Sequence, residues 1–195
     1  MRSSTNRGLA SRPAGVAARS RRTRPTPAAA LPTALLMRPE PEQCTRVFLR
    51  LLDTLDPLLD GLLACPPIAG DERLPLHAPR CAVYLFSTGS EHLYVGRTNR
   101  LGSRYKEHRR GRHNDAPFAF KLARHATGNL KKQGGLTREA LQENPEFAAA
   151  FVDAKQQITL IDFRWVEEQD PNTQCLLEIY ATIALYARYN DFMNH

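Results

Sequence analysis

Apolar positions recur at helical spacing between residues 42 and 65. Val47, Phe48, Leu51, Leu52, Leu55, Leu58, Leu59, Leu62 and Leu63 are interleaved with Arg46, Arg50, Asp53, Asp56 and Asp60, which gives one apolar and one charged face. Pro57 lacks a backbone N–H and is expected to kink or divide this helix. A proline-rich loop follows over 66–80. Residues 81–87 are short, apolar and rich in β-formers. Thr88-Gly89-Ser90-Glu91 has turn chemistry, and 92–96 reads as the return strand of a hairpin. Thr98 or Asn99 can cap a helix running to about Arg110. A second helix is expected over 116–126, with Pro117 in its first turn and Gly128 just past its end. Thr137 caps a third, running to Gln142, and Asn144-Pro145 starts a fourth, running to about Lys155. Residues 158–166 read as a strand, in which Ile158, Leu160, Asp162 and Arg164 alternate against Thr159, Ile161, Phe163 and Trp165. Asp170-Pro171 opens a last helix to Ala187. This order predicts an α+β fold, a small antiparallel sheet covered by helices.

Composition changes the picture only at the N-terminus. With 195 residues, 42% of them hydrophobic, the chain suits one domain with a tail. No apolar run approaches the ~20 residues of a membrane span, so no membrane partner is expected. Residues 1–39 are mostly Arg, Ser, Thr, Ala and Pro, without an acid, and are expected to be disordered. They suit an organellar transit peptide, a basic arm holding DNA, or an upstream extension of a chain that starts at Met37; the last is favoured because Met37 shortly precedes the first amphipathic segment. The expected division is a basic tail over 1–40, a helical segment and linker over 41–79, and a functional domain over 80–195. Cys44, Cys65, Cys81 and Cys175 have no metal-ligand spacing and suit buried thiols in a reducing cytoplasm.

Charge is segregated. The net +7 lies wholly in residues 1–40, which hold eight Arg and one Glu. Within the balanced remainder, 97–135 carries +9 and 136–195 carries −6. A positive face of this kind suits a polyanion such as nucleic acid; a solvated charged surface is the plainer alternative.

Candidate chemistry starts in the last helix. Between Pro171 and Ala187 the single charge is Glu178, in a mostly apolar segment. Gln174, Glu178 and Thr182 are spaced four apart and form one polar stripe, able either to line a cleft where Glu178 holds a cation or to be a solvated face. In the helix after the hairpin, Arg104 and His108 are four apart on one face. Arginine there can bind phosphate and histidine can titrate near neutrality, although such pairs are commonly surface residues.

Taken together these residues resemble the GIY-YIG nuclease family. Ala82-Val83-Tyr84 matches its first triplet, and Tyr94-Val95-Gly96 matches its second. The run YVGRTNRLGSRYKEH is the most specific part, and Leu177-Glu178 followed by Tyr189-Asn190 resembles the family's last helix. The likeness covers about residues 80–190. Ala82 departs from the family's glycine, Val83 and Val95 depart from its isoleucines, and the segment between His108 and the last strand is longer than minimal.

The resemblance implies a three-stranded antiparallel sheet flanked by helices, and metal-dependent hydrolysis of DNA. It makes Tyr84 and Tyr94 the motif tyrosines, Arg104 the phosphate-binding arginine, His108 the helix histidine, Glu178 the metal ligand and Asn190 the last-helix asparagine. Mg²⁺, or Mn²⁺ in its place, is the implied cofactor. A single carboxylate with waters and a substrate phosphate is an ordinary Mg²⁺ site. Tyr94 is expected to help remove a proton from water, directly or through His108, while Tyr84 positions water or partner groups. Arg97, Arg100, Lys106, Arg109, Arg110, Arg112, His113, Lys121 and Arg124 are expected to form the DNA-facing rim. Phe118, Phe120 and Leu122 are expected in the core. The competing readings are a nucleic-acid-binding module without cleavage, and a subunit that pairs with a second copy or a helper through the 42–65 helix.

Overall fold

The hairpin forms where the sequence places it and organises everything else. The computed structural model describes residues 40–130 and 136–191, which belong to one compact unit; the expectations for the N-terminal tail lie outside the described residues. Strands Ala82–Thr88 (β2) and Glu91–Thr98 (β3) pair antiparallel around Gly89, whose φ of +58° sits at the first central position of the turn. A bulge between Phe86 and Ser87 shifts the register, so Phe86 pairs Tyr94 while Ser87 pairs His92. The third expected strand, Asp162–Glu167 (β4), lies on the other side of β2.

The sheet has four strands, not three. Ile68–Ala69 (β1), inside the proline-rich loop, pairs with Phe163 and Asp162 of β4 and gives the order β1-β4-β2-β3. A two-residue strand carries no periodicity, so it leaves no trace in the sequence pattern.

Helices cover both faces. Leu55–Ala64 (α2) and Pro171–Ala184 (α7) pack Leu55, Leu59, Leu62, Leu177 and Ala181 against Val83, Leu85 and Val95. On the other face Leu101–Arg110 (α3), Pro117–Ala126 (α4) and Pro145–Ile158 (α6) supply Leu101, Tyr105, Phe118, Ala154 and Ile158 around Tyr84, Phe86 and Phe163. The short helix Arg138–Glu143 (α5) adds Leu141 to a side cluster with Phe120 and Phe147. Phe118, Phe120 and Leu122 are buried, as expected. β2 is buried on both faces, which explains its near-continuous apolar run.

Several boundaries move. The expected 42–65 helix divides, but at Asp53-Thr54, into Pro41–Leu52 (α1) and α2. Pro57 instead sits in the first turn of α2, where a missing N–H costs nothing. α1 buries none of its residues. α6 extends to Ile158, taking that residue from the expected strand. Neither Thr98 nor Asn99 caps α3: Arg100 holds that place, and its N–H donates to Thr98 Oγ1 at 3.1 Å. Thr137, Asn144 and Asp170 do cap their helices. Cys44 is exposed and the other three cysteines are half-buried, so the expected burial of the thiols is not found. Among the described residues no helix is long and apolar enough to cross a membrane.

α7 ends in a Schellman turn. Tyr186 takes a φ of +51°, Ala187 N–H donates to Thr182 O at 3.0 Å and Tyr186 N–H to Ile183 O at 3.2 Å. The chain is thereby turned along β3, the sheet's edge. Arg188 and Tyr189 donate to His92 O and Leu93 O at 3.1 and 2.9 Å. Asn190 then spends its whole amide on Val95: Val95 N–H donates to Oδ1, and Nδ2 donates to Val95 O, both at 2.8 Å. Unpaired edge groups invite pairing with another chain, and this segment satisfies them.

Candidate active site

Side chains alternate along β2 and β3, so Tyr84 and Tyr94 share the face that receives α3 and α4. Their ring centroids lie 6.5 Å apart. Tyr84 stands opposite Gly96, and a Cβ on Gly96 would run into its hydroxyl end. The glycine of the second triplet is therefore the space in which the first tyrosine lies.

Leu101, Tyr105 and His108 are the buried face of α3. The helix thereby delivers His108 Nε2 to within 2.8 Å of Tyr84 Oη. Arg104, four residues back, donates from Nε to the same hydroxyl at 3.4 Å. One hydrogen bond thus joins the hydroxyl to His108 Nε2, and the tautomer of the imidazole sets which of the two donates. Nδ1 is buried without a partner, among the ring edges of Phe86, Tyr94 and Phe118. Burial, with the Arg104 charge beside it, pushes His108 down to about 3. The expectation of a histidine that titrates near neutrality is corrected: burial holds this imidazole neutral.

Arg104 is fixed at three points. Besides Tyr84, it donates from Nη1 to Glu107 Oε2 at 3.3 Å and to Asp115 O at 3.1 Å. Its Nη2 takes no part in these bonds and is the donor left for an anion. Burial pushes Tyr84 up to about 12 against the opposing charge of Arg104. Burial also pushes Tyr94 up, reinforced by the charges of Tyr84 and Glu178. Tyr94 stacks on Phe118 at 4.9 Å and makes no hydrogen bond among the described residues. His108 bonds Tyr84 and not Tyr94, so a proton route from Tyr94 through His108 has no bond to follow.

Glu178 comes from α7, in the layer on the other face, against edge strand β3. It is half-buried, and its Oε2 accepts from Arg97 Nε at 3.0 Å. Burial pushes its carboxyl up; Arg97, then Arg104 and Lys121, oppose that. Glu178 is thus within electrostatic reach of Tyr84, Tyr94, Arg104 and Lys121. The flanking members of the expected polar stripe do not line an open cleft. Gln174 is buried and donates to Asn99 Oδ1 at 3.2 Å and Glu168 O at 2.5 Å, and Thr182 is buried too. α7 leaves Ile179 and Ile183 exposed.

Tyr84, Tyr94, Arg104 and His108 therefore gather on the face of β2 and β3 that receives α3 and α4, and Glu178 reaches them from α7 through its charge. Asn190 does not join them. It clasps the backbone of Val95, next to Tyr94, and is a positioning residue. Among the described residues no group of three or more His, Cys, Asp or Glu is placed to hold a metal ion. A single carboxylate is enough for Mg²⁺, which keeps most of its waters, and Glu178 would be that ligand, with its Oε2 now held by Arg97.

The expected rim divides. Lys106, Arg110 and Arg112 are exposed, and His113 is half-buried. Arg97 is on Glu178, and Arg100 forks onto Glu107. Arg109 donates to Gly70 O at 2.5 Å and lies over the Tyr105 ring at 4.1 Å. Arg124 is 9% exposed and donates to Asn129 O and Leu136 O. These last two are structural, because a loop's carbonyls need donors and a long guanidinium supplies them. Lys121 lies 3.6 Å from Asp191, with Nζ 6.0 Å from the Tyr94 ring centroid, at the site instead of a distant rim. Phe118 and Glu107 went unrecognised as parts of the site. The spacing of Glu107 three residues after Arg104 was the available signal; Phe118 offered none.

Comparison with protein-family models, with curated proteins and with solved structures finds no match to this chain.

Proposed function

We propose that the chain is a metal-dependent endonuclease of the GIY-YIG kind, hydrolysing DNA phosphodiester bonds. The observation that carries this reading is the hydrogen-bonded series Arg104, Tyr84 and His108, beside Tyr94 and within electrostatic reach of Glu178. Such a phosphodiester is shielded by its own charge, so it needs fixed donors and an oriented water. Arg104 offers Nη2 to a phosphate oxygen while its other nitrogens stay held. Tyr84, kept protonated by burial, hydrogen-bonds His108 and Arg104 and so fixes the arginine and the helix. Tyr94 has the uncommitted hydroxyl and orients water as a neutral phenol. The upward push on its pKa argues against a resident phenolate. Glu178 would hold Mg²⁺ or Mn²⁺, which when bound neutralises charge on the phosphate and leaving oxygen. Repair, restriction and mobile-element cutting are the settings that suit such an activity.

The test is plasmid nicking with Mg²⁺, Mn²⁺ or EDTA, for the wild type, Glu178→Ala and Tyr94→Phe. We expect metal-dependent nicking, lost by at least about 10²-fold in Glu178→Ala while DNA binding persists. DNA binding with no cleavage by the wild type would replace the enzyme with a binding module. One observation favours a partner-dependent form of the same enzyme. α1 exposes Val47, Phe48 and Leu52 on one face, suited to a helper or a second copy.

A further inference from the structure

A second concave feature lies where the turn after α3 meets α6. It is a cleft of about 380 Å³ whose walls include Arg110, Arg112, His113, Phe147, Phe151 and Lys155. That volume falls within the roughly 300–1,000 Å³ of small-ligand pockets. Its cations face no lining carboxylate. The aromatic wall is braced, with Phe147 fully buried behind it and Lys155 Nζ 4.9 Å from the Phe151 ring centroid. His113 keeps Nδ1 buried without a hydrogen-bond partner. The wall is also preformed. Arg138 of α5 donates to His113 O at 2.5 Å, and Gly111 N–H donates to Glu107 O at 2.7 Å. Converging cations with no acid call for an anion, and apolar ring faces beside them call for a flat apolar group. The same turn carries Asp115, whose carbonyl holds Arg104.

We propose that this cleft receives one unpaired nucleotide of a nucleic-acid strand. Its base lies on the Phe151 wall and its phosphate among Arg110, Arg112 and Lys155. The inference rests on the reading of the neighbouring site as one that takes nucleic acid, and it adds a preference for unpaired over fully paired strands.

Anisotropy titrations of the full chain in EDTA test it, with a fluorescein-labelled oligo-dT of about ten nucleotides and a blunt duplex of equal length. Phe151→Ala removes the ring. Val152→Glu, at a position 49% exposed on the cleft wall, adds a carboxylate without disturbing the core. The wild type is expected to favour the single strand by about tenfold, and both variants to bring the ratio of affinities close to one. A misfolded variant would lose both ligands together, so the ratio separates folding from recognition. A wild-type ratio near one, or a ratio unchanged by Val152→Glu, overturns the proposal. So does free dTMP that displaces the strand with the strand's own affinity, since the cleft would then be a mononucleotide site. The two readings separate cleanly. Glu178-dependent nicking with an unchanged ratio removes the cleft and leaves the nuclease. A ratio that collapses in the variants, in a chain that cuts nothing, does the reverse.

Discussion

Acid should unfold this protein through His108. An unfolded histidine titrates near 6.5, whereas burial holds His108 down to about 3. Below pH 6.5 the unfolded chain takes up a proton that the folded chain refuses. The stability from the neutral imidazole is therefore fully present above 6.5 and lost progressively as pH falls towards 3. Each pH unit in that window costs about 1.4 kcal/mol, so moving from pH 7 to pH 5 costs about 2 kcal/mol at this one residue. For a domain of this size that is a fall of roughly 4–8 °C in Tm. The assay is urea unfolding at pH 7 and pH 5, for the wild type and His108→Gln. Glutamine can still hydrogen-bond Tyr84 but cannot titrate. His108→Gln should be less stable at pH 7, from lost packing, yet its further loss on moving to pH 5 should be about 2 kcal/mol smaller. His92 and His125, also pushed down by burial, act in both chains and cancel. Equal pH losses in the two chains would show that His108 is not held neutral by burial.

Three further outcomes follow from the same contacts. Gly96→Ala drives a methyl into the Tyr84 hydroxyl, and should cost roughly 1–3 kcal/mol in chemical denaturation and abolish nicking; an active, equally stable variant would show that Tyr84 does not need its place. Asn190→Ala removes two hydrogen bonds to Val95 and should cost about 1–3 kcal/mol, with faster hydrogen exchange at the Val95 amide; unchanged exchange would mean that the edge is held without it. Binding to duplex DNA should weaken with salt at a log–log slope near about −3.6, because Arg104 at the site and Lys106, Arg110 and Arg112 on the rim are the cations open to phosphate while Arg97, Arg100, Arg109 and Arg124 are engaged internally. A slope of about −4.5, as five phosphate contacts would give, would mean that those internal bonds open on binding.

What was legible in the sequence was local. The hairpin announced itself through the turn residues Thr88-Gly89-Ser90-Glu91 and a short apolar run of β-formers before them. Asp170, Asn144 and Thr137 announced three helix starts, since a capping oxygen acts within three residues. Arg104 and His108 were readable as one face of α3 because helical spacing alone decides it. What could not be read was set by distant partners. Nothing near Arg97 reveals that it meets Glu178, 81 residues on. Likewise a histidine in a run as basic as 104–112 looks solvated, until the aromatic box from β2, β3 and α4 closes around it. The break in the first helix went to Asp53-Thr54 because a proline is cheap in a first turn, a choice that local rules permit but do not force.

The clasp of Asn190 on Val95 also sets a clock. The two residues are 95 positions apart, so the outer side of β3 has no cover while that much chain is still being made. At roughly 5–20 residues per second that interval lasts about 5–20 s on the ribosome. Through it the hairpin presents an open row of donors and acceptors to any neighbouring nascent chain. Slow codons between the two positions, or crowding of ribosomes on one message, should therefore raise the aggregated fraction without altering the stability of the finished protein.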